Sequence, residues 1–319
     1  MTHLAVQLPA GRGADRFGSQ RVALIAIAAA VVGNALLLVD AGFELALLGR
    51  AIVGVGSGAA FVAGLDLVRA GGGGAALQGL YGGATMTGGG LALMIVPPLT
   101  DATSWRAPYW TAAGLALLAA VPTLLASGLP RIGHAGAWVL RDRGLLPLGL
   151  LQAATFGLAV VAGNWAVPLL ERQGASSTAA GLAGGLILFV GIVTRPAGGL
   201  LAGRARGRLL VGAALMGASF GAFLLALGGP FVVSTLGALV LGLAAGLPFA
   251  VIFAAAQRTR PDAPGAAIAL VNACAVLTIL VGTPLAGLTF DLPSDGRLAF
   301  AIIAALSASA LVPLRAARL

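Results

Sequence analysis

Apolar residues in this chain fall neither at every second position nor in the narrow stripe of a surface helix. They come in long, nearly unbroken runs, separated by short segments that hold almost every charge. Ten runs reach the length that crosses a bilayer: Val22–Val39, Leu45–Val68, Leu77–Leu99, Tyr109–Leu129, Leu145–Leu170, Ala179–Gly203, Leu209–Gly228, Phe231–Ala256, Ala266–Phe290 and Leu298–Leu314. Backbone exposed to lipid must satisfy its own hydrogen bonds, so each run is expected to be a helix. The piece before Gly11 is too short to span. It also lacks the charged start, long apolar core and cleavage site of a signal peptide.

Composition turns this pattern into a fold class. Charged residues make up 9% of the chain and hydrophobic residues 59%, with a mean hydropathy of +1.01. A soluble domain carries about 25% charged residues. A water-facing surface cannot be built from this chain, which reads as an all-α polytopic membrane protein whose first partner is the lipid bilayer. All 19 basic residues are arginines. Fourteen fall in alternate loops on the Gly11 side: Arg12, Arg16, Arg21, Arg69, Arg131, Arg141, Arg143, Arg204, Arg206, Arg208, Arg258, Arg260, Arg315 and Arg318. The opposite loops hold Arg106, Arg172 and Arg297, while Arg50 and Arg195 lie inside spans. The asymmetry places the Gly11 loop and the C-terminus in the cytoplasm of a bacterial inner-membrane type cell membrane. The net charge of +9 is therefore a topology signal and not a nucleic-acid surface.

Enzymatic chemistry finds little material. The single cysteine, Cys274, lies in an apolar run, so a disulfide or a thiolate metal site is excluded. His3 and His134 lie outside the ten runs, without ligand-spaced partners, and read as ordinary loop residues. There is no phosphate loop, nucleophile constellation or metal cluster, so no enzyme, metal or cofactor is expected. No carboxylate lies near the middle of any run, so no proton carrier is evident.

The segment Gly11–Arg21, GRGADRFGSQR, reads as a tight charged turn. Gly11 and Gly18 suit close helix approach and a positive-φ turn, and Asp15 can accept from the free N–H groups at the start of a helix. This stretch resembles the signature loop of the major facilitator superfamily, GxxxDRxGRR-like, between transmembrane helices 2 and 3; Ser19 and Gln20 replace the usual basic pair and Arg21 remains. The resemblance implies a two-half helical bundle that carries a small-molecule or ion substrate by rocking around a central cavity.

The chain also repeats itself. Pro9-Ala10-Gly11 recurs 187 positions later as Pro196-Ala197-Gly198; Gly54, Gly58 and Phe61 recur 188 later as Gly242, Gly246 and Phe249; Asp101 recurs 190 later as Asp291. Two parallel repeats of this kind are what the family fold implies. The expected organisation is an N-terminal half over 1–129, a basic cytoplasmic linker over 130–144, and a C-terminal half over 145–319. At the same offset the counterpart of Leu145–Leu170 would precede Met1. The resemblance thus implies about ten of the family's twelve helices, with helix 1 and most of helix 2 lacking. A misassigned start and a genuine truncation both remain open. On the second reading the chain is a non-transporting membrane remnant.

Within this frame, Gly11, Asp15, Arg16, Gly18 and Asp66 are the expected cytoplasmic gate. Asp66 is the acid placed to pair with Arg12 or Arg16, and the resemblance puts Asp15 near the start of family helix 11, around Pro264 to Ala267. A solvated surface pair is the alternative. Arg50 sits in RAIVGVGSG, matching an RxxxGxG-like pattern of family helix 4. An intramembrane arginine is a functional candidate by default, and a snorkelling arginine near the outer surface is the other reading. Arg195, in TRPAGG, offers a planar fork for a carboxylate or nitrate-like anion; alternatively it serves the gate with Arg204 to Arg208. Nitrate/nitrite porters of the family resemble this R-P-x-G-G context, yet Gln7 stands where their second arginine would be.

Gly79–Gly90 is a small-residue face for close helix approach. Drug–proton antiporters of the family carry a Gly-Pro-x-x-Gly-Gly pattern there that this chain lacks. Pro97-Pro98 and Pro284 read as kinks near the outer ends of their helices. Candidate cavity-polar residues are Asn34, Tyr81, Thr85, Gln152, Thr155, Asn164, Asn272 and Thr278; each can instead bond between helices.

Overall fold

The computed structural model describes residues 1–126, 128–132, 139–202 and 207–319, without the side chains of residues 87, 89–91, 93, 94, 97 and 98. The described residues form helices joined by short segments. They are α1 (Thr2–Phe17), α2 (Ser19–Leu38), α3 (Phe43–Ala70), α4 (Ala75–Ala102), α5 (Ala107–Leu125), α6 (Leu145–Gln152), α7 (Leu158–Arg172) and α8 (Ser177–Phe189). They continue as α9 (Gly191–Ala202), α10 (Gly207–Leu227), α11 (Phe231–Gly246), α12 (Phe249–Thr259), α13 (Pro264–Leu288), α14 (Arg297–Ser309) and α15 (Leu311–Ala316).

Among the described residues, nine helical stretches are long and apolar enough to cross a membrane. Each coincides with an expected run, and the tenth run, Leu77–Leu99, falls within the 28 residues of α4. Large apolar side chains stand exposed along these stretches, Leu118 at 68%, Leu182 at 73% and Val232 at 75%. Only lipid makes that arrangement stable.

Four runs are interrupted where the sequence was read as continuous. Pro248 lacks an N–H and separates α11 from α12, and α14 parts from α15 at Ala310, three residues before Pro313. The span that contains Pro196 is interrupted earlier, at Val190, between α8 and α9. In the span Leu145–Arg172, a π-helical turn at Ala153–Gly157 divides α6 from α7. Pro284, expected to kink its helix, is carried inside α13 without a break.

The expected turn at Gly11–Arg21 is much shorter than the sequence implied. Helix α1 runs on through Phe17, and the break is confined to Gly18, at φ +93°. Residues 11–17 carry no proline and can keep helical dihedrals, whereas only glycine enters the left-handed region without strain. His3 is likewise not a loop residue: it lies in α1, with Nδ1 2.9 Å from Oγ of Ser57. His134, Trp138, Arg204 and Arg206 lie outside the described residues, as do residues 133–138 of the stretch expected as the linker.

Two compact units can be described separately. The first comprises Met1–Gly73, Gly88–Leu140 and Arg260–Leu270. Here α2 packs on α3 and α5, and α1 on α3. Gly56 of α3 faces α2; a Cβ there would stand 2.8 Å from the Ala26 carbonyl and the Ala30 amide nitrogen. Gly58 faces α1, 2.6 Å from the His3 carbonyl by the same construction. The second unit comprises Gly74–Thr87, Arg141–Thr259 and Val271–Leu319. In it α10 packs on α11 and α14, α8 on α7 and α11, and α9 on α12. Gly242 faces the Leu186 carbonyl of α8, and Gly246 faces Thr194 of α9. The repeated glycines of α3 and α11 therefore make the same kind of contact.

Gly56→Ala is expected to destabilise the protein by about 1–3 kcal/mol, because backbone atoms must move. Gly114→Ala, with open space around its Cβ position, is expected to be neutral or stabilising through helix propensity. Thermal unfolding of the two variants in one detergent checks the contrast.

Candidate functional site

Asp15 lies on the last turn of α1, outside the nine spans, and is 1% exposed. Its Oδ1 accepts from the Gly265 N–H at 2.8 Å and its Oδ2 from the Ala266 N–H at 3.0 Å. Those donors open α13, where the first N–H groups have no partner in their own helix and the dipole favours an anion. This is the neighbourhood the family resemblance implied. Glycines make the reach possible. A Cβ on Gly11 would fall inside 3.0 Å of the Gly265 carbonyl, and one on Gly265 would stand 2.6 Å from the Gly11 carbonyl. Burial pushes the Asp15 carboxyl up from 3.8 to about 6, against the two amide hydrogen bonds that favour its ionised form.

Asp66 is 2% exposed, and its partners differ from the expected ones. The Ser19 hydroxyl donates to Oδ2, and Arg69 Nε donates to Oδ1 at 2.6 Å. Of the two expected partners, Arg12 and Arg16, the second is exposed, its guanidinium 5.0 Å from the centre of the Phe17 ring. Arg69 wins because it sits three residues along the same helix, within reach without crossing to another. That spacing was visible in the sequence. Ser19 was not singled out, because it was read only as a departure from a basic position.

Arg195 is 1% exposed, among the largest fully buried side chains. Its Nη1 donates to the Gly82 carbonyl at 2.9 Å and to Thr85 Oγ1 at 3.1 Å. The guanidinium lies 4.2 Å from the Phe249 ring centre and 4.6 Å from that of Phe156. It makes no ion pair among the described residues. Two rings and two oxygens replace hydration and a counter-ion. The small-residue face of α4 permits this: a Cβ on Gly79 would collide with the Arg195 carbonyl, and one on Gly82 with the Phe249 ring. Thr87, Gly89 and Gly90 of the same face are outside the described side chains. Beside Arg195 lies a cavity of about 10 Å³, lined also by Met86, Phe156 and Ile187. It has room for about one water.

The remaining candidates scatter. Arg50 is exposed on α3 and makes no ion pair among the described residues. Asn34 is buried and donates to the Ala30 carbonyl of its own helix at 2.7 Å. Thr155 and Thr278 likewise bond the carbonyls of Leu151 and Cys274. Asn164 is exposed, with Nδ2 3.2 Å from Thr283 Oγ1. Tyr81 is half-buried and Asn272 buried. Gln152 is 1% exposed, immediately before the π-helical turn, and neither end of its amide has a hydrogen-bond partner. A buried amide left this way carries a penalty of about 1–3 kcal/mol unless water or a ligand meets it. The sequence reading missed one buried pair: Gln78 Nε2 donates to Gln257 Oε1 at 2.9 Å. Neither residue has a charge or motif that would have flagged it.

Comparison with known proteins agrees with this architecture. The family model "Major Facilitator Superfamily" matches residues 1–262. The E. coli fucose:proton symporter FucP (N162A) superposes with a TM-score of 0.78 at 15% identity, over 98% of this chain and 88% of that one. FucP in the outward conformation gives 0.79 at 16% identity, over 99% and 87%. The human organic anion transporter MFSD10 gives 0.77 at 19% identity, over 98% and 80%. At these identities the likeness shows the fold. No curated protein sequence matches the chain.

The Asp15 contact generates a pH dependence. Its buried carboxyl binds a proton more tightly than an exposed one, so acid favours the docked contact. That preference is fully present below about pH 4 and is lost as the pH rises through about 6. Hydrogen exchange at Gly265 and Ala266, corrected for the intrinsic pH effect, is expected to be faster at neutral than at acid pH. Asp15→Asn is expected to abolish the difference.

Proposed function

The chain belongs to the major facilitator superfamily, and from that premise we propose that it is a secondary active permease moving a small solute by alternating access. The moving parts are a half over 1–129 and a half over 145–319, joined by a cytoplasmic linker over 130–144. The cell membrane holds the protein with its C-terminus in the cytoplasm, in line with the arginine asymmetry. Gly11, Asp15, Arg16, Gly18 and Asp66 form the cytoplasmic gate.

The observation that carries this reading is the docking of Asp15 on the first amides of α13. The contact is buried and close, yet its partners are main-chain N–H groups rather than a buried opposite charge. Breaking it strands no uncompensated cation, and water can rehydrate both sides. Gly18, at φ +93°, supplies the sharp corner beside it, and the Asp66–Arg69 pair steadies the adjoining end of α3.

For the substrate, a specific observation favours the anion reading. Arg195 is buried without a carboxylate among the described residues, and a small anion arriving beside it would neutralise the charge where lipid and protein cannot. A nitrate- or carboxylate-sized anion suits a planar guanidinium. Gln7, also buried, stands where the second arginine of nitrate-type porters would be, which directs this reading toward small anions generally. Of the two structural neighbours with named cargo, one is an organic anion transporter and one a fucose:proton symporter.

Flux into proteoliposomes, assayed with a panel of labelled small anions and neutral sugars, tests both levels. Asp15→Ala is expected to lower flux of whatever solute is carried by about tenfold or more, the loss of about 1.4 kcal/mol. Arg195→Gln is expected to abolish anion flux, with Arg195→Lys retaining a part of it. Transport of a sugar that is indifferent to Arg195→Gln would discard the anion reading while leaving the permease intact. No flux of any solute by the folded chain would discard the permease reading.

A further inference from the structure

At the corner between α1 and α2 lies a polar cavity of about 170 Å³. Its walls are the first turn of α2, from Gly18 to Arg21, and the segment Gly128–Arg131 that follows α5. Two guanidinium-bearing residues, Arg21 and Arg131, line it from opposite walls, and both are exposed. Neither makes an ion pair among the described residues. Asp66, the carboxylate that accepts from the wall residue Ser19, is paired with Arg69. The cavity therefore presents two positive charges with no anion of its own.

We propose that this pocket binds the phosphate group of an anionic phospholipid in the cytoplasmic leaflet. Three features point to a lipid rather than a free ion. The pocket lies where the span of α2 begins and that of α5 has just ended, the depth at which headgroups lie. Exposed apolar residues accompany it: Phe17 in its lining, and Leu124 and Leu125 on the last turn of α5, whose Leu124 carbonyl the lining residue Gln20 meets. Exposed apolar residues continue from the pocket along α2 at Ile25. A headgroup between the arginines would thus lay its acyl chains on surface that is already lipid-facing. The dipole of α2, whose first turn forms one wall, adds to the attraction for an anion. Gln20 fixes the geometry, because its amide donates to the carbonyls of Thr123 and Leu124 and ties the two walls together. The proposal is independent of what is transported.

Native mass spectrometry of the purified full chain, incubated with phosphatidylglycerol or phosphatidylcholine, reads the site directly. Wild-type protein is expected to retain phosphatidylglycerol and not phosphatidylcholine. Each arginine near a membrane surface strengthens anionic-lipid binding about fivefold, so Arg21→Gln with Arg131→Gln is expected to weaken it about thirtyfold. The charge-matched control Arg315→Gln with Arg318→Gln is expected to bind as wild type. Arg131→Gln alone, outside any helix, gives an intermediate loss even if the double variant folds poorly. Equal retention in variant and control, or equal retention of both lipids, would overturn the proposal. So would displacement of the lipid by inorganic phosphate alone, which would make this a free-anion site.

Discussion

Backbone-to-backbone approach is the constraint on which the rest of this structure depends. Apolar side chains in lipid gain nothing by turning inward, so helices associate through close packing and hydrogen bonds. The glycines do this here. Gly56 sits against the backbone of α2, Gly221 and Gly237 bring α10 and α11 together, and Gly11 and Gly265 lie carbonyl to Cα. The polar chemistry is built on these contacts. Asp15 reaches the amides of Gly265 and Ala266 only because no Cβ intervenes, and the Gly82 carbonyl reaches Arg195 from a face that Gly79 and Gly83 keep low.

The buried charges are each held differently. Asp66 has an opposite charge and a hydroxyl. Asp15 has two main-chain amides and Arg195 has a carbonyl, a hydroxyl and two aromatic faces. Separating a buried ion pair leaves a stranded charge at a penalty of about 3–5 kcal/mol. Contacts to dipoles and rings can be exchanged for water or substrate with far less resistance. Asp66 and Arg69 are joined by the stiffer kind of contact, and Asp15 and Arg195 by kinds that exchange more readily.

The internal repeat preserves packing while its chemistry diverges. Gly58 and Gly246 both seat their helices on a neighbour. Arg69 and Gln257, separated by the same 188 positions, do different work. One neutralises Asp66, and the other pairs with Gln78 through an uncharged amide. A glycine contact depends on shape alone and tolerates little change. A polar position needs only some satisfied partner, so charge can give way to amide.

By itself the sequence determined the solvent, the helices, their approximate limits and the family, because these follow from run length, charge content and one signature loop. It also located Asp15, Asp66 and Arg195 as the residues to watch, since charge in an apolar chain is conspicuous. Only the tertiary structure decided their partners. Whether Asp66 meets Arg16 or Arg69 depends on which side chain spans the shorter gap once α3 is formed. The aromatic enclosure of Arg195 by Phe156 and Phe249 joins residues far apart in the chain, as does the Gln78–Gln257 pair. Apolar and amide residues carry no local mark of such encounters, because lipid accepts them on any face and only packing selects one.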